Sequence, residues 1–538
     1  GTYTYEWDTT EWADGTYIIR LVVKDLAGNE LEVSRTVVVD NTAPEGQINE
    51  PGDGSYLAGL VQVNVTGGDK NLDIIELYIN GTLVASWDAN GTYTYDWDTS
   101  AWADGIYNIT LSVRDLAGNV LETYITVVVD NTAPEGAINE PEDGAYLAGM
   151  VVINITGGDR NLDVIELYIN GTLTASWSAN GTYTYTWDTS SGPDGAYVLR
   201  LLVIDLAGNT REITIAVTVD NTAPEGAIST PTDGAYLAGL VRVNVTGGDK
   251  NLDIIELYIN DTLVASWDAN GTYTYEWDTT EWADGTYIIR LVVKDLAGNT
   301  AETSITVVVD NTPPEAEVEA PGQGEYVRGT YTVQVYGSDA HLVLLELYLD
   351  GTLLASWPGS EHSYTLDTTT LADGLHNLTL RAVDAAGNSA EHTVLFYVDN
   401  TAPEIGEPSL SPKEPIEGED VTISVAISDA LSGVAEVILS YSTDGGATWT
   451  NITMAPRPGG TYEATIPGQP AGTEVLFKIY AGDAIGNWAV GGEGSYTVSA
   501  PPPGPPTVAG VPVIYVVAGG VAAAAAGVGV ALFLLRRR

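Results

Sequence analysis

The sequence predicts an all-β chain: tandem Greek-key β-sandwiches in a linear array, followed by a single C-terminal transmembrane α-helix. Three observations carry this. The segment Asn-Thr-(Ala/Pro)-Pro-Glu recurs at Asn41, Asn131, Asn221, Asn311 and Asn400, with spacings of 90, 90, 90 and 89 residues. Between these points lie short runs of alternating apolar and polar residues, punctuated by Gly, Asp and Asn. Near the C-terminus, Val508 to Leu535 holds no charged residue, and Arg536, Arg537 and Arg538 follow it at once.

A period of 90 residues is too long for a solenoid unit and suits one independent sandwich. In residues 41–130, an opening strand is expected near Gly46–Asn49, then Val61–Val65 and Ile74–Ile79. Asn80-Gly81 marks a hairpin, because both residues tolerate positive φ. Thr82–Trp87, Thr92–Trp97, Tyr107–Arg114 and Leu121–Val129 complete seven strands. Seven short strands in one period argue for two sheets with Greek-key connections. The recurring Trp87, Trp177, Trp267 and Trp357 read as core anchors. Trp102 and Trp282 give way to Gly192 and Leu371 in sister repeats, so they read as surface or hinge contacts.

The repeats occupy 41–130, 131–220, 221–310 and, in divergent form, 311–399. Residues 1–29 repeat 271–299 identically, so 1–40 reads as the C-terminal half of a further repeat, with a preceding part expected upstream. Residues 400–499 are a different module, with strands expected at Val421–Ile427, Ala435–Tyr441, Tyr462–Ile466 and Val475–Ala481. Its composition resembles a fibronectin III-like or related Ig-like sandwich. Residues 500–507 form a Pro-rich linker, a stiff polyproline spacer. At ~1.5 Å per residue, 508–535 is long enough to cross a ~30 Å hydrocarbon core. The arginine tail 536–538 then sets the C-terminus in the cytoplasm and the repeats outside.

Acidic residues number 73 against 20 basic ones, a net charge of −53, which argues against nucleic-acid partners. Such a charge suits solubility, high external salt or cation binding. The chain has no cysteine, so its stability rests on packed cores. There is no G-x-S-x-G elbow, phosphate loop or HExxH spacing. No catalysis is expected from these residues. His341, His362, His376 and His392 fall on separate loops and strands of one repeat, a poor basis for zinc.

Strand alternation brings the loops after strands two, four and six to the pole that faces the preceding repeat. In residues 131–220 these loops carry Asp159, Asp163 and Asp205, beside Asp130 of the entering linker. Calcium takes six to eight oxygens of this kind. Asp130, Asp159, Asp163 and Asp205 are therefore candidate ligands for a junctional Ca²⁺, the one cofactor expected. The plainer reading is that Asp and Asn only close tight turns. Asn-x-Thr acceptor sites occur at Asn64, Asn80, Asn90, Asn108, Asn154, Asn170, Asn180, Asn244, Asn260, Asn270, Asn377 and Asn451, and an exterior location favours their glycosylation. Ser442 to Trp449 fits the Asp-box pattern S-x-D-x-G-x-T-W and reads as a hairpin turn with Trp449 packed behind it.

The Asp-Asn-Thr-Ala-Pro junction and the Asp-x-Ala-Gly-Asn turn resemble those of bacterial and archaeal tandem Ig-like repeat cell-surface proteins. The resemblance covers nearly all of 1–499 and extends to the Pro-rich spacer, apolar segment and Arg tail, which are similar to archaeal C-terminal anchors. It implies Ig-like sandwiches serving as a cell-surface stalk or adhesin held in the membrane. It equally allows a spacer for an upstream surface protease or glycosidase, or a carbohydrate-binding array using Trp102 and Trp282. The partners it implies are the membrane, surface glycans, an S-layer or other surface proteins.

Overall fold

The computed structural model describes residues 1–503. They form two compact units, Gly1–Thr312 and Pro313 onward. Among the described residues no helix is long and apolar enough to cross a membrane. The expected span at 508–535 and the Arg tail lie outside them.

In residues 41–130 the strands are β1 (Glu45–Glu50), β2 (Tyr56–Leu57), β3 (Leu60–Gly68), β4 (Leu72–Ile79), β5 (Thr82–Trp87), β6 (Gly91–Asp98), β7 (Gly105–Asp115) and β8 (Val120–Val129). They make a three-stranded sheet, β1-β3-β6, and a five-stranded sheet, β2-β8-β7-β4-β5. Only β2 runs parallel to its neighbour, β8. The repeats at 131–220, 221–310 and 311–399 have the same topology. Strand β2 has two residues, too few to show a period, and the sequence pattern gives no sign of it.

Each strand alternates because each sheet buries one face against the other. Val63, Val65, Ile75, Leu77, Ile79, Ile109, Leu111, Val113, Val127 and Val129 are all fully buried. Burying such a side chain stabilises by ~1.5–3 kcal/mol each, which is how a cysteine-free sandwich holds together. The Asn-Gly hairpin forms as expected, with φ of 43° at Asn80 and 77° at Gly81. The Asn80 Oδ1 also accepts the Asn108 N–H at 2.8 Å, which fixes the turn to the neighbouring strand.

The tryptophan assignment needs correction. Trp87 lies half-buried on edge strand β5, stacked on Tyr93 at 4.6 Å. The tryptophan at the centre of the core is Trp97, 1% exposed, with Trp277 as its counterpart. Trp102 packs edge-on against Trp97 at 5.5 Å and Tyr107 at 5.4 Å, closing the end of the core. Gly192 removes that cover in the next repeat, and Trp187 is only partly buried there.

The last module has a four-stranded sheet of β9 (Val434–Ser442), β10 (Thr450–Thr453), β11 (Glu474–Asp483) and β12 (Trp488–Thr497), in the order β10-β9-β11-β12. Its core includes Val437, Leu439, Phe477 and Ile479.

Candidate functional site at the domain junctions

The linker Asp130-Asn131-Thr132 is shared between two sandwiches residue by residue. The Asn131 N–H donates to Asp104 Oδ1 at 2.8 Å, and the Thr132 hydroxyl donates to Asp104 Oδ2 at 2.5 Å. The Asn131 side chain plugs the single 3₁₀ turn, Thr99–Ala101, of the same preceding repeat. Its Oδ1 accepts from Gly59 N–H and Thr99 Oγ1, both at 3.1 Å, and its Nδ2 donates to Thr99 O at 2.9 Å. Asp130 turns the other way. Its Oδ2 accepts from Asn161 Nδ2 at 2.6 Å and its carbonyl accepts from Asn209 Nδ2 at 2.8 Å, both in the following repeat. Only 4% of Asp130 is exposed, so these partners replace the water it has lost.

The following repeat holds its own side of the junction just as firmly. Asp205 Oδ1 accepts the Asn209 N–H at 2.8 Å and Oδ2 accepts Asn209 Nδ2 at 2.7 Å. This closes the Asp205–Asn209 turn, whose Gly208 has a φ of 89° that disfavours a side chain. Asp159 Oδ1 accepts the Asn161 N–H at 2.6 Å. Asn180 in turn clasps the Asp159 backbone through Nδ2 on its carbonyl at 2.7 Å and Oδ1 on its N–H at 3.0 Å.

One carboxylate oxygen from each of Asp130, Asp159 and Asp205 lies within 4.8 Å of the other two. The same grouping recurs as Asp40, Asp69 and Asp115, and as Asp220, Asp249 and Asp295. Carboxylates are acceptor-only and hard, the donor type that calcium selects, and these three residues are the ones that would hold it. Asp163, expected with them, is not among them. It is exposed at a register shift between Leu162 and Val164, outside the triad. Its counterpart Asp73 pairs with Arg114 at 2.8 Å instead.

Two parts of the junctions escaped the sequence reading. Asp104, with Asp194, Asp284 and Asp373, clamps the linker from behind; the recurring (Ala/Pro)-Asp-Gly before β7 was the available signal. The Thr132 hydroxyl, then the Asn131 N–H, hold the Asp104 carboxyl below its usual range. The last module carries the second: Asp399, Asp429 and Asp483 form the same triad. Asn487 Nδ2 donates to Asp399 O at 2.8 Å and to Asp483 Oδ2 at 2.6 Å, as Asn209 does. Asp483-Ala484-Ile485-Gly486-Asn487 was its signal in the sequence.

The acceptor asparagines divide by what their side chains already do. Asn80, Asn170 and Asn260 brace hairpins at positive φ. Asn90, Asn180 and Asn270 clasp the loops of the carboxylate triads. Asn64, Asn108, Asn154 and Asn244 accept bonds on the sheets. Asn377 is half-buried, while Asn451 is exposed. The Asp-box segment is a hairpin turn, with the Trp449 Nε1 folded back onto Gly446 O at 3.1 Å. Bonds from the Thr448 side chain and N–H, then Ser442, hold the Asp444 carboxyl down to about 2. The four histidines sit apart: His341 on a loop, His362 stacked on Trp357, His376 beside Asp350, and His392 accepting from Val318 N–H.

Comparison with known proteins agrees with this architecture. A bacterial Ig domain model matches residues 44–111, 134–201, 224–291 and 314–380, half of the chain. Bacterial Ig-like domain models also match 6–41, 181–257 and 271–339. The human Dyslexia-associated protein KIAA0319 is 25% identical over 325 residues, covering 55% of this chain and 29% of its own length. Halomucin of Haloquadratum walsbyi is 24% identical over 325 residues, covering 50% of this chain and 4% of its own length. The chain thus spans less than a third of these curated relatives. Among solved structures, a tetra-tandem repeat from the extending region of a large adhesion protein is 20% identical, covering 67% of this chain and all of that one, with a TM-score of 0.29. With four matched repeats in series, the chain belongs to the bacterial Ig domain family.

Proposed function

We propose that this chain is a non-catalytic cell-surface stalk or adhesive spacer whose stiffness is set at its junctions. The observation that carries this is the strapped linker: in Asp130-Asn131-Thr132 each residue is bonded to a sandwich, and none is left as a free hinge. A row of sandwiches, each about 35–40 Å long, would reach on the order of 200 Å. In this reading Val508–Leu535 holds the chain in the membrane with the repeats outside and the Arg tail inside. Exposed acceptor asparagines carry glycans, and surface glycans, an S-layer or other surface proteins are the partners. Calcium held by triads such as Asp130, Asp159 and Asp205 stiffens the junctions further.

Small-angle scattering of the chain tests the stalk. The expected result is a long maximum dimension that Asp104→Ala, Asp194→Ala and Asp284→Ala together shorten. A compact particle, or a dimension those substitutions leave unchanged, would sink the reading. For calcium, a melting curve identical in chelator and in millimolar calcium would dismiss the metal. In the carbohydrate-array alternative the contacts would be Trp102 and Trp282, which are partly exposed and sit within aromatic triads, and a glycan array on one repeat tests it.

A further inference from the structure

The outer face of the last module's four-stranded sheet carries aromatic and apolar side chains in solvent. The register sets Ser440 opposite both Lys478 and Asn451, Ile438 opposite Tyr480, Tyr480 opposite Val490, and Gly482 opposite Trp488. Residues two apart on a strand share a face, so these side chains form one patch. Ile438, Ser440, Trp449, Asn451, Lys478, Tyr480 and Trp488 line a shallow depression of about 430 Å³ there. Trp488 and Val490 are 49% and 58% exposed, although a solvent-facing sheet position costs least when it is polar.

The seat of Trp488 is specific. A Cβ at Gly482 would fall 2.7 Å from the indole, so the ring lies directly on the backbone of β11. Only glycine leaves room for that. A ring lying on the sheet keeps its other face open to solvent. Further along the same face stand groups that bond to hydroxyls. The Asn451 carboxamide is exposed on β10, and the Lys478 ammonium sits 4.4 Å above the Trp449 ring and 5.2 Å from the Tyr480 ring. Trp449 is itself tethered by its N–H to Gly446 O, so the ammonium is held over a fixed support.

We propose that this face binds a saccharide. One pyranose of an oligosaccharide stacks its C–H face on the open side of Trp488, while hydroxyls of units further along the face bond to the Lys478 ammonium and the Asn451 carboxamide. A flat apolar ring rimmed by a few polar groups suits a ligand that is apolar on one face and hydroxylated at its edge. Trp102 stands apart from this face, packed against Trp97 and Tyr107 of another sandwich. Gly482 and Trp488 flank the Asp483–Asn487 turn of the junction, but the face uses none of that turn's side chains.

The test is affinity electrophoresis of the full chain in detergent, produced without glycosylation so that no glycan on Asn451 occupies the face. Native gels contain dextran, galactomannan, a β-glucan or polygalacturonate, with a plain gel as reference. The chain is expected to be retarded in at least one. Trp488→Ala weakens binding about tenfold, the size of one lost aromatic stack. Gly482→Val, which drives a side chain into the indole, weakens it likewise. Lys478→Gln, at the surface and outside the core, weakens it without changing the melting temperature, and Trp102→Ala leaves it intact. Equal mobility in all gels, or retardation undiminished by Trp488→Ala and Lys478→Gln, overturns the proposal.

Discussion

The junction entering residues 131–220 and the junction entering the last module solve one problem with different sequences. Both set three aspartates around the linker, and both use an asparagine at the end of a five-residue turn to bind the linker carbonyl, Asn209 on Asp130 and Asn487 on Asp399. They differ in the second strap. In the repeat a side chain, Asn161 Nδ2, grips Asp130 Oδ2. In the last module a backbone N–H, that of Ser432, grips Asp399 Oδ2 at 3.0 Å. The last junction adds a bond from the sandwich before it: Arg328 donates to Ile485 O at 2.6 Å, where the repeats have Ala58, Ala148 and Ala238. The aspartate–asparagine turn is therefore the fixed part of the device, and the strap beside it is exchangeable.

The sharpest way to break this comparison is to remove the turn aspartate. Asp483 Oδ1 accepts N–H bonds from Ile485, Gly486 and Asn487, whereas Asp205 Oδ1 is shown accepting only that of Asn209. Asp483→Ala should cost roughly 3 kcal/mol in chemical denaturation, and Asp205→Ala about half as much. Equal costs would mean that the two additional N–H bonds at Asp483 contribute nothing to stability. Calcium comes next. Saturating it should raise the melting temperature of both junction types, by about 2–3 kcal/mol of stability at a hundredfold excess over Kd. Asp159→Asn and Asp429→Asn should each blunt that rise, as read by calorimetry.

A smaller effect concerns the covered and uncovered tryptophans. Trp102→Gly should cost about 1 kcal/mol and bring Trp97 to the exposure of Trp187, read as a red shift of its emission. The smallest effect is acid loosening of the linker. The Asp104, Asp194, Asp284 and Asp373 carboxyls are held below their usual range, so they favour the folded state above the ordinary carboxylate pKa. That contribution fades as pH falls below about 4 and through the lowered folded values. Hydrogen exchange at Asn131 and Thr132 should accelerate there beyond its intrinsic pH trend, and Asp104→Asn should remove the excess.

Most of the sandwich was legible because burial on one face imposes a period of two, and Val61–Val65, Ile74–Ile79 and Tyr107–Arg114 all show it. What period cannot convey was missed. Trp87 and Trp97 both recur on strands at the edge of a sheet, and only the packing of the two sheets shows that Trp97 is buried between them while Trp87 is half-exposed. Loop polarity brought Asp130, Asp159 and Asp205 to one pole correctly. It could not reject Asp163, because that depends on a one-residue register shift. Asp104 went unseen because its task is to hold a backbone 27 residues away.

One feature of each sandwich bears on how it answers to tension. The chain enters by β1, passes to β2 and leaves by β8, and β2 and β8 run parallel, side by side. Pulling the two ends apart slides one strand along the other. The bonds from Gly54 N–H to Thr126 O, Val128 N–H to Ser55 O and Asp130 N–H to Leu57 O lie across that motion and are loaded together. Behind β1, a load thus meets a shear clamp that must yield before β8 can be pulled from the sheet, and the last rung of that clamp is Asp130 itself, the first residue of the strap.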